Sequence, residues 1–179
     1  MDKYKELTGK GVAGYLSALE EVSWFRYSKI ARAEVEERLF KTEDPADYVL
    51  CLYDLWFDAE GFEDDESYSW LLERIQLVTG LDFKLNVTYQ QETNSVEITI
   101  NGAGGDYHYA VAMESDWIDE SFIEELINNR VLPGEGVASQ FIALPPTDQT
   151  VQFVYIPSAA YDNAIAKGII PSDMGYFMD

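Results

Sequence analysis

Apolar residues recur along the first eighty positions with the period of a helix. Tyr15, Leu16, Leu19 and Val22 fall on one face of the stretch YLSALEEVSWF. A second helix is predicted over Arg26 to Lys41. There Glu34–Arg38 and Glu37–Lys41 stand at i,i+4 with the acid first, which is the favourable order. Asp44-Pro45 has the form of an N-cap followed by proline at the first helical position. In the helix predicted after it, Ala46, Val49, Leu50, Tyr53, Trp56 and Phe57 make one apolar face. A further helix over about Ser67 to Thr79 groups Leu71, Leu72, Ile75 and Val78 and stops at Gly80.

The period then changes to two. Phe83, Leu85, Val87 and Tyr89 alternate with polar residues, and Glu92-Thr93-Asn94 predicts a turn. Val96, Ile98 and Ile100 alternate next, Gly102-Ala103-Gly104-Gly105 turns the chain again, and Tyr107, Tyr109, Val111 and Met113 follow. Short turns between alternating segments predict an antiparallel meander with one face in a core. Asp119 is placed to cap a helix running to about Arg130, with Phe122, Ile123, Leu126 and Ile127 inward and Pro133-Gly134 breaking it. Strands are predicted over Gln140–Leu144 and Thr150–Ile156, joined by Pro145-Pro146-Thr147-Asp148. A last helix over Ser158–Lys167 ends at Gly168. The expected fold is α+β: N-terminal helices, then an antiparallel sheet of about five strands with helices packed on one face.

Composition sets the scale of this fold. With 179 residues, 47% of them hydrophobic, the chain is long enough for one domain with a sizeable core. That expectation is a single domain over 1–179, mainly helical to residue 80 and sheet plus helices from 81. The single cysteine, Cys51, excludes an internal disulfide. Residues 1–20 carry charges throughout and do not read as a signal peptide, and no stretch approaches the roughly eighteen apolar residues of a membrane span. The expected location is cytoplasmic.

Charge changes the picture most. The net charge is −21. Residues 1–41 hold 8 of the 12 basic and 7 of the 33 acidic residues, a net of +1, which leaves −22 for residues 42–179. Such a surface repels nucleic acid and anionic membranes and attracts basic proteins. Direct nucleic-acid binding is disfavoured, because phosphate contacts need clustered Lys and Arg.

The candidate catalytic motifs fail on context. Gly9-Lys10-Gly11-Val12-Ala13-Gly14 spells GxGxxG, but a dinucleotide site needs a strand before its glycines, and only eight polar N-terminal residues precede these. A thiol–imidazole pair would have to use Cys51 and His108, each the single residue of its type. Cys51 sits in the apolar VLCLYDL, where cysteine behaves as a small hydrophobe. His108 is expected on the polar face of its strand. One histidine and one cysteine cannot make a typical structural zinc site. A calcium loop starting at Asp58 would place Phe62 at position 5 and Glu63 at position 6, and one starting at Asp54 places Trp56 and Ala59 at positions 3 and 6, so neither fits. No cofactor is expected.

What remains is the stretch AEGFEDDESYSW, residues 59–70, and a second acidic run, ESDWIDESFIEEL, residues 114–126. Hydration alone explains an acidic loop, but rings ringed by charge are also how specific interfaces look. The chain is therefore expected to be a binding protein rather than an enzyme: an acidic inhibitor that covers a basic partner such as a nucleic-acid-acting toxin. In physical type it is like the immunity proteins that neutralise bacterial toxins, or the nucleic-acid mimics. The residues expected to meet the partner are Asp58, Glu60, Phe62, Glu63, Asp64, Asp65, Glu66, Tyr68, Asp116, Trp117, Glu120 and Glu124. The alternatives are a metal-dependent carboxylate enzyme and a structural or assembly protein.

Overall fold

A computed structural model describes residues 2–119, 121–145 and 149–172. Along the chain run α1 (Lys3–Thr8), α2 (Gly11–Glu21), a 3-10 turn at Trp24–Arg26, α3 (Arg32–Lys41), a 3-10 helix at Pro45–Leu52 and β1 (Leu55–Asp58). Then follow α4 (Asp65–Thr79), β2 (Lys84–Gln90), β3 (Ser95–Gly102) and β4 (Gly105–Ala112). A π-helical segment at Ile123–Val131 leads into α5 (Leu132–Gly134), and β5 (Ser139–Ala143), β6 (Thr150–Pro157) and α6 (Ser158–Lys167) complete the order. The fold is α+β. The chain divides into two compact units, one formed by residues up to Trp56 together with those from Ile142 onward, the other by Phe57–Phe141. Among the described residues no helix is long and apolar enough to cross a membrane.

The expected single sheet of about five strands is corrected to two sheets of three, ordered β1-β6-β5 and β2-β3-β4. The difference starts at residue 53. The helix predicted after Asp44-Pro45 begins as expected, with the Asp44 carboxylate accepting from Ala46 N at 2.8 Å. It ends at Leu52, and Tyr53 turns extended with ψ 138°. Leu55 to Asp58 then alternate buried and exposed as a strand, which leaves Trp56 48% exposed rather than on an apolar helix face. β1 supplies the third strand of the sheet beside β6, and β5 and β6 pair there rather than with the meander.

In the first unit, Tyr15, Leu16, Leu19, Trp24, Val35, Leu39, Val49 and Leu52 pack with Val154 and Ile156 of β6 into one core. Asp54 ties its loops to the sheet. One carboxylate oxygen accepts from Ser28 Oγ at 2.8 Å, Lys29 N at 2.7 Å and Ile30 N at 3.0 Å, and the other accepts from Tyr155 N at 2.7 Å. Burial pushes its pKa up even though these four donors pull it down. The same bonds explain why the helix predicted from Arg26 starts only at Arg32: the N–H groups of Lys29 and Ile30 are committed to Asp54 instead of a helical ladder. The predicted i,i+4 pairs form, Arg38–Glu34 at 2.6 Å and Lys41–Glu37 at 2.7 Å.

Two phenols in this unit give it an alkaline limit. The buried Tyr15 hydroxyl donates to Ile169 O at 2.7 Å, and burial raises its pKa well above 10. Burial also pushes Tyr155 up to about 12. An unfolded chain releases both protons near pH 10, before the folded chain does. Stability is therefore unaffected by these groups below pH 10 and falls as pH rises from there toward about 12. Thermal midpoints measured alongside phenolate absorbance check this. Midpoints flat to pH 12 would refute it.

In the second unit, β2, β3 and β4 form the expected meander, with Gln90 opposite Ser95 at one turn and Gly102 opposite Gly105 at the other. Val96, Ile98, Ile100 and Val111 are buried, and α4 packs against β2 and the π-helical segment against β4. The helix after Asp119 does not stop at Arg130. It widens to π-helical turns and closes through Pro133, which sits in its last turn rather than ahead of a break. Gly80 and Gly168 cap α4 and α6 with φ of 70° and 77°, the left-handed geometry that glycine adopts freely.

Candidate functional site

The two acidic runs, far apart in sequence, are stitched side by side in the second unit. Phe62 N donates to Asp116 O at 2.8 Å, Ile118 N donates to Ala59 O at 2.9 Å, and Glu60 and Trp117 form an antiparallel bridge. The pairing follows from local pattern. Phe57 and Ala59 are buried while Asp58 and Glu60 are exposed, and Ile118 is buried beside the exposed Trp117. In the first run the apolar members point into the unit and the acids point out; in the second, Ile118 points in and Trp117 out, with Asp116 and Asp119 half-buried.

Under this bridge lies a chain of rings. Phe57 and Phe62 stand edge to face at 5.8 Å between centroids, Phe62 and Tyr68 at 5.2 Å, Tyr68 and Phe122 at 5.7 Å, and Phe122 and Tyr109 at 6.0 Å. Such arrangements suit the ring quadrupoles. Phe62 is 3% exposed and Tyr68 0%. The expectation that these two rings are surface anchors is therefore corrected: they hold the acidic loop down from inside. Within the two runs the exposed rings are Trp117 at 47% and Trp70 at 42%, and the Arg74 guanidinium lies 5.4 Å from the Trp70 centroid.

The remaining predicted residues divide by what they do locally. Asp58 is exposed, and its carboxylate accepts from Glu60 N at 3.0 Å. Asp64 is the N-cap of α4, accepting from Ser67 N at 3.0 Å and Ser67 Oγ at 3.1 Å. Asp65 and Glu66 occupy the first turn of α4, where negative charge complements the helix dipole. Glu63, Glu66 and Glu114 are exposed and form no ion pair among the described residues. Asp116 is half-buried and lends its backbone carbonyl to the bridge. Glu124 is exposed on the π-helical segment and accepts from Asn128 Nδ2 at 2.9 Å. Glu120 lies outside the described residues. Beside Trp117 a cleft of about 380 Å³ opens, lined by Ala112, Glu114, Ser115, Trp117, Ile118 and Asp119.

The electrostatics are one-sided. Residues 57–141 hold 18 acids against Arg74, Lys84 and Arg130, a net of −15 with His108 neutral. The ion pairs of Arg32, Arg38 and Lys41 all belong to the first unit. Asp119 Oδ1 accepts from Ser121 N at 3.0 Å and Ser121 Oγ at 2.6 Å, and Glu125 accepts from the Tyr109 hydroxyl at 3.1 Å. Among the described residues no group of three or more His, Cys, Asp or Glu side chains is arranged to hold a metal ion. Sequence reasoning missed Ala59 and Ile118, the buried partners that fix the register of the two runs. The alternation F-D-A-E at Phe57–Glu60 was the available signal.

Cys51 and His108 have separate local roles. Cys51 is buried in the first unit with its sulfur 3.1 Å from Thr42 Oγ1, and burial raises its pKa, the wrong direction for a thiolate nucleophile. His108 is exposed on β4 of the second unit with Nδ1 3.1 Å from Thr99 Oγ1. Cys51→Ala is expected to lower stability by about 1 kcal/mol from lost packing and to leave biological activity intact, as chemical denaturation set beside an activity assay would read. Loss of function with the fold intact would restore a role for the thiol. The Gly9–Gly14 stretch follows helix α1, not a strand, and Gly11 opens α2.

The chain matches no family model, no curated protein and no solved structure.

Proposed function

We propose that this chain is a stoichiometric binding protein whose acidic face, on the second unit, covers a basic site of a protein partner. The observation that carries the reading is the Glu60–Trp117 bridge, which sets both acidic runs on one surface with an exposed tryptophan between them. Charge of one sign steers a basic partner to the face, and a half-exposed indole gives it an anchor of the kind that dominates interface energies. A nucleic-acid-acting enzyme fits best as the target, because its own site must be cationic to hold phosphates. The reading therefore includes an immunity-type inhibitor or a nucleic-acid mimic acting in the cytoplasm, with no chemistry of its own.

Affinity capture from the native host, eluted by a salt gradient, tests the proposal. The expected product is one basic protein, released by salt and bound at one-to-one stoichiometry, whose nucleic-acid activity the chain suppresses. Recovery of only acidic or salt-insensitive partners would count against it.

A further inference from the structure

The two edges of the β2-β3-β4 sheet differ. At β4, Arg130 Nη1 donates to His108 O at 2.8 Å and the Tyr109 hydroxyl reaches Glu125, so side chains of the π-helical segment cover that edge. Among the described residues, β2 has no further strand beside it. An edge strand of this kind turns half of its N–H and C=O groups outward. β2 also lacks the usual protections: its seven residues, KLNVTYQ, pair with β3 in unbroken register without a bulge, contain no proline, and carry one charge, Lys84 at the first position. Its core-facing side chains are incompletely covered. Leu85 and Val87 are half-buried and Tyr89 is exposed, while Val96, Ile98 and Ile100 opposite them on β3 are fully buried. Leu77, on the helix packed against β2, is 75% exposed.

We propose that β2 is the seam of a homodimer, pairing antiparallel with β2 of a second copy about a two-fold axis through Val87. Charge selects the occupant. Phe83–Gln91 carries one lysine and no acid within a unit of net −15, so two copies meet there with little like-charge contact. The strand is also self-complementary in this register. Leu85 faces Tyr89 of the partner subunit, Asn86 faces Thr88 of the partner subunit, and Lys84 faces Gln90 of the partner subunit. The two lysines stand six residue steps apart, about 20 Å, beyond the screening length at physiological salt. Leu85, Val87 and Tyr89 from both copies then form one six-membered apolar ladder, the cross-strand contact that stabilises sheets. This inference does not depend on the acidic face.

Sedimentation velocity of the full chain in moderate salt, from micromolar to near-millimolar concentration, tests it. The expected result is a reversible dimer at twice the 20.3 kDa chain mass. Asn86→Lys combined with Thr88→Lys sets lysine against lysine twice across the seam and is expected to weaken the dimer about tenfold. Asn86→Lys combined with Thr88→Glu sets opposite charges across the same pairs and is expected to tighten it severalfold. Circular dichroism establishes that each variant is folded; should the double-lysine variant fail, the charge-paired variant decides alone. A chain that stays monomeric throughout, or a dimer indifferent to the variants, overturns the proposal.

Discussion

Replacing Tyr68 by alanine is expected to destabilise the second unit by about 3–5 kcal/mol, whereas Tyr68→Phe should cost less than about 1 kcal/mol. Tyr68 is the middle of the ring chain, in edge contact with Phe62 on one side and Phe122 on the other, and has no exposed surface. Alanine removes both contacts and leaves a cavity that α4 and the segment after Asp119 cannot both collapse into. The hydroxyl adds little, because its bond from Asp119 N is long at 3.5 Å. Denaturant titration of the three chains measures the difference. Equal stability of Tyr68→Ala and wild type would mean that this ring does not anchor the acidic loop.

Trp117→Ala is expected to act in the opposite manner, leaving stability nearly unchanged while speeding release of the partner by about ten- to hundredfold. The ring is 47% exposed, so its removal from the free chain opens no cavity in the core. The bridge to Glu60 runs through the backbone and survives the change. On binding, the indole would lose most of its remaining contact with water beside the cleft lined by Glu114 and Asp119. Dissociation rates from the captured partner, set beside thermal midpoints of the free variants, separate the two roles. A variant that loses stability but keeps its dissociation rate would make Trp117 a packing residue.

The contrast between these rings shows where sequence reading succeeds. Local pattern identified the Asp44 and Gly80 caps, the i,i+4 pairs on α3 and the whole β2-β3-β4 meander, because each depends on neighbours within a few residues. It failed where a distant partner decides. Trp56 and Phe57 complete a helical face as well as they open a strand, and pairing with β6, about a hundred residues later, settles the matter. Phe62 and Tyr68 looked exposed because acids surround them in the chain, yet Phe57 and Phe122 close over them in space. The acids of the site were legible as composition. Their assembly into one face was not, since it rests on bonds between Phe62 and Asp116 and between Ala59 and Ile118.

The acidic face is tested most directly by association kinetics with the salt-eluted partner, using a variant that alters charge and little else. Asp64 caps α4 and Asp58 holds the Glu60 backbone, so reversing either would confound folding with binding. Glu63 and Glu114 are exposed, come one from each run, and accept no described hydrogen bond, whereas Glu66 stands in the first turn of α4. The rate for wild type should fall steeply as ionic strength rises. The double change of Glu63 and Glu114 to lysine should slow association about tenfold at low salt and flatten that dependence. Rates within about threefold of each other with equal salt slopes, outside the range expected of electrostatic steering, would contradict a partner docking on this face.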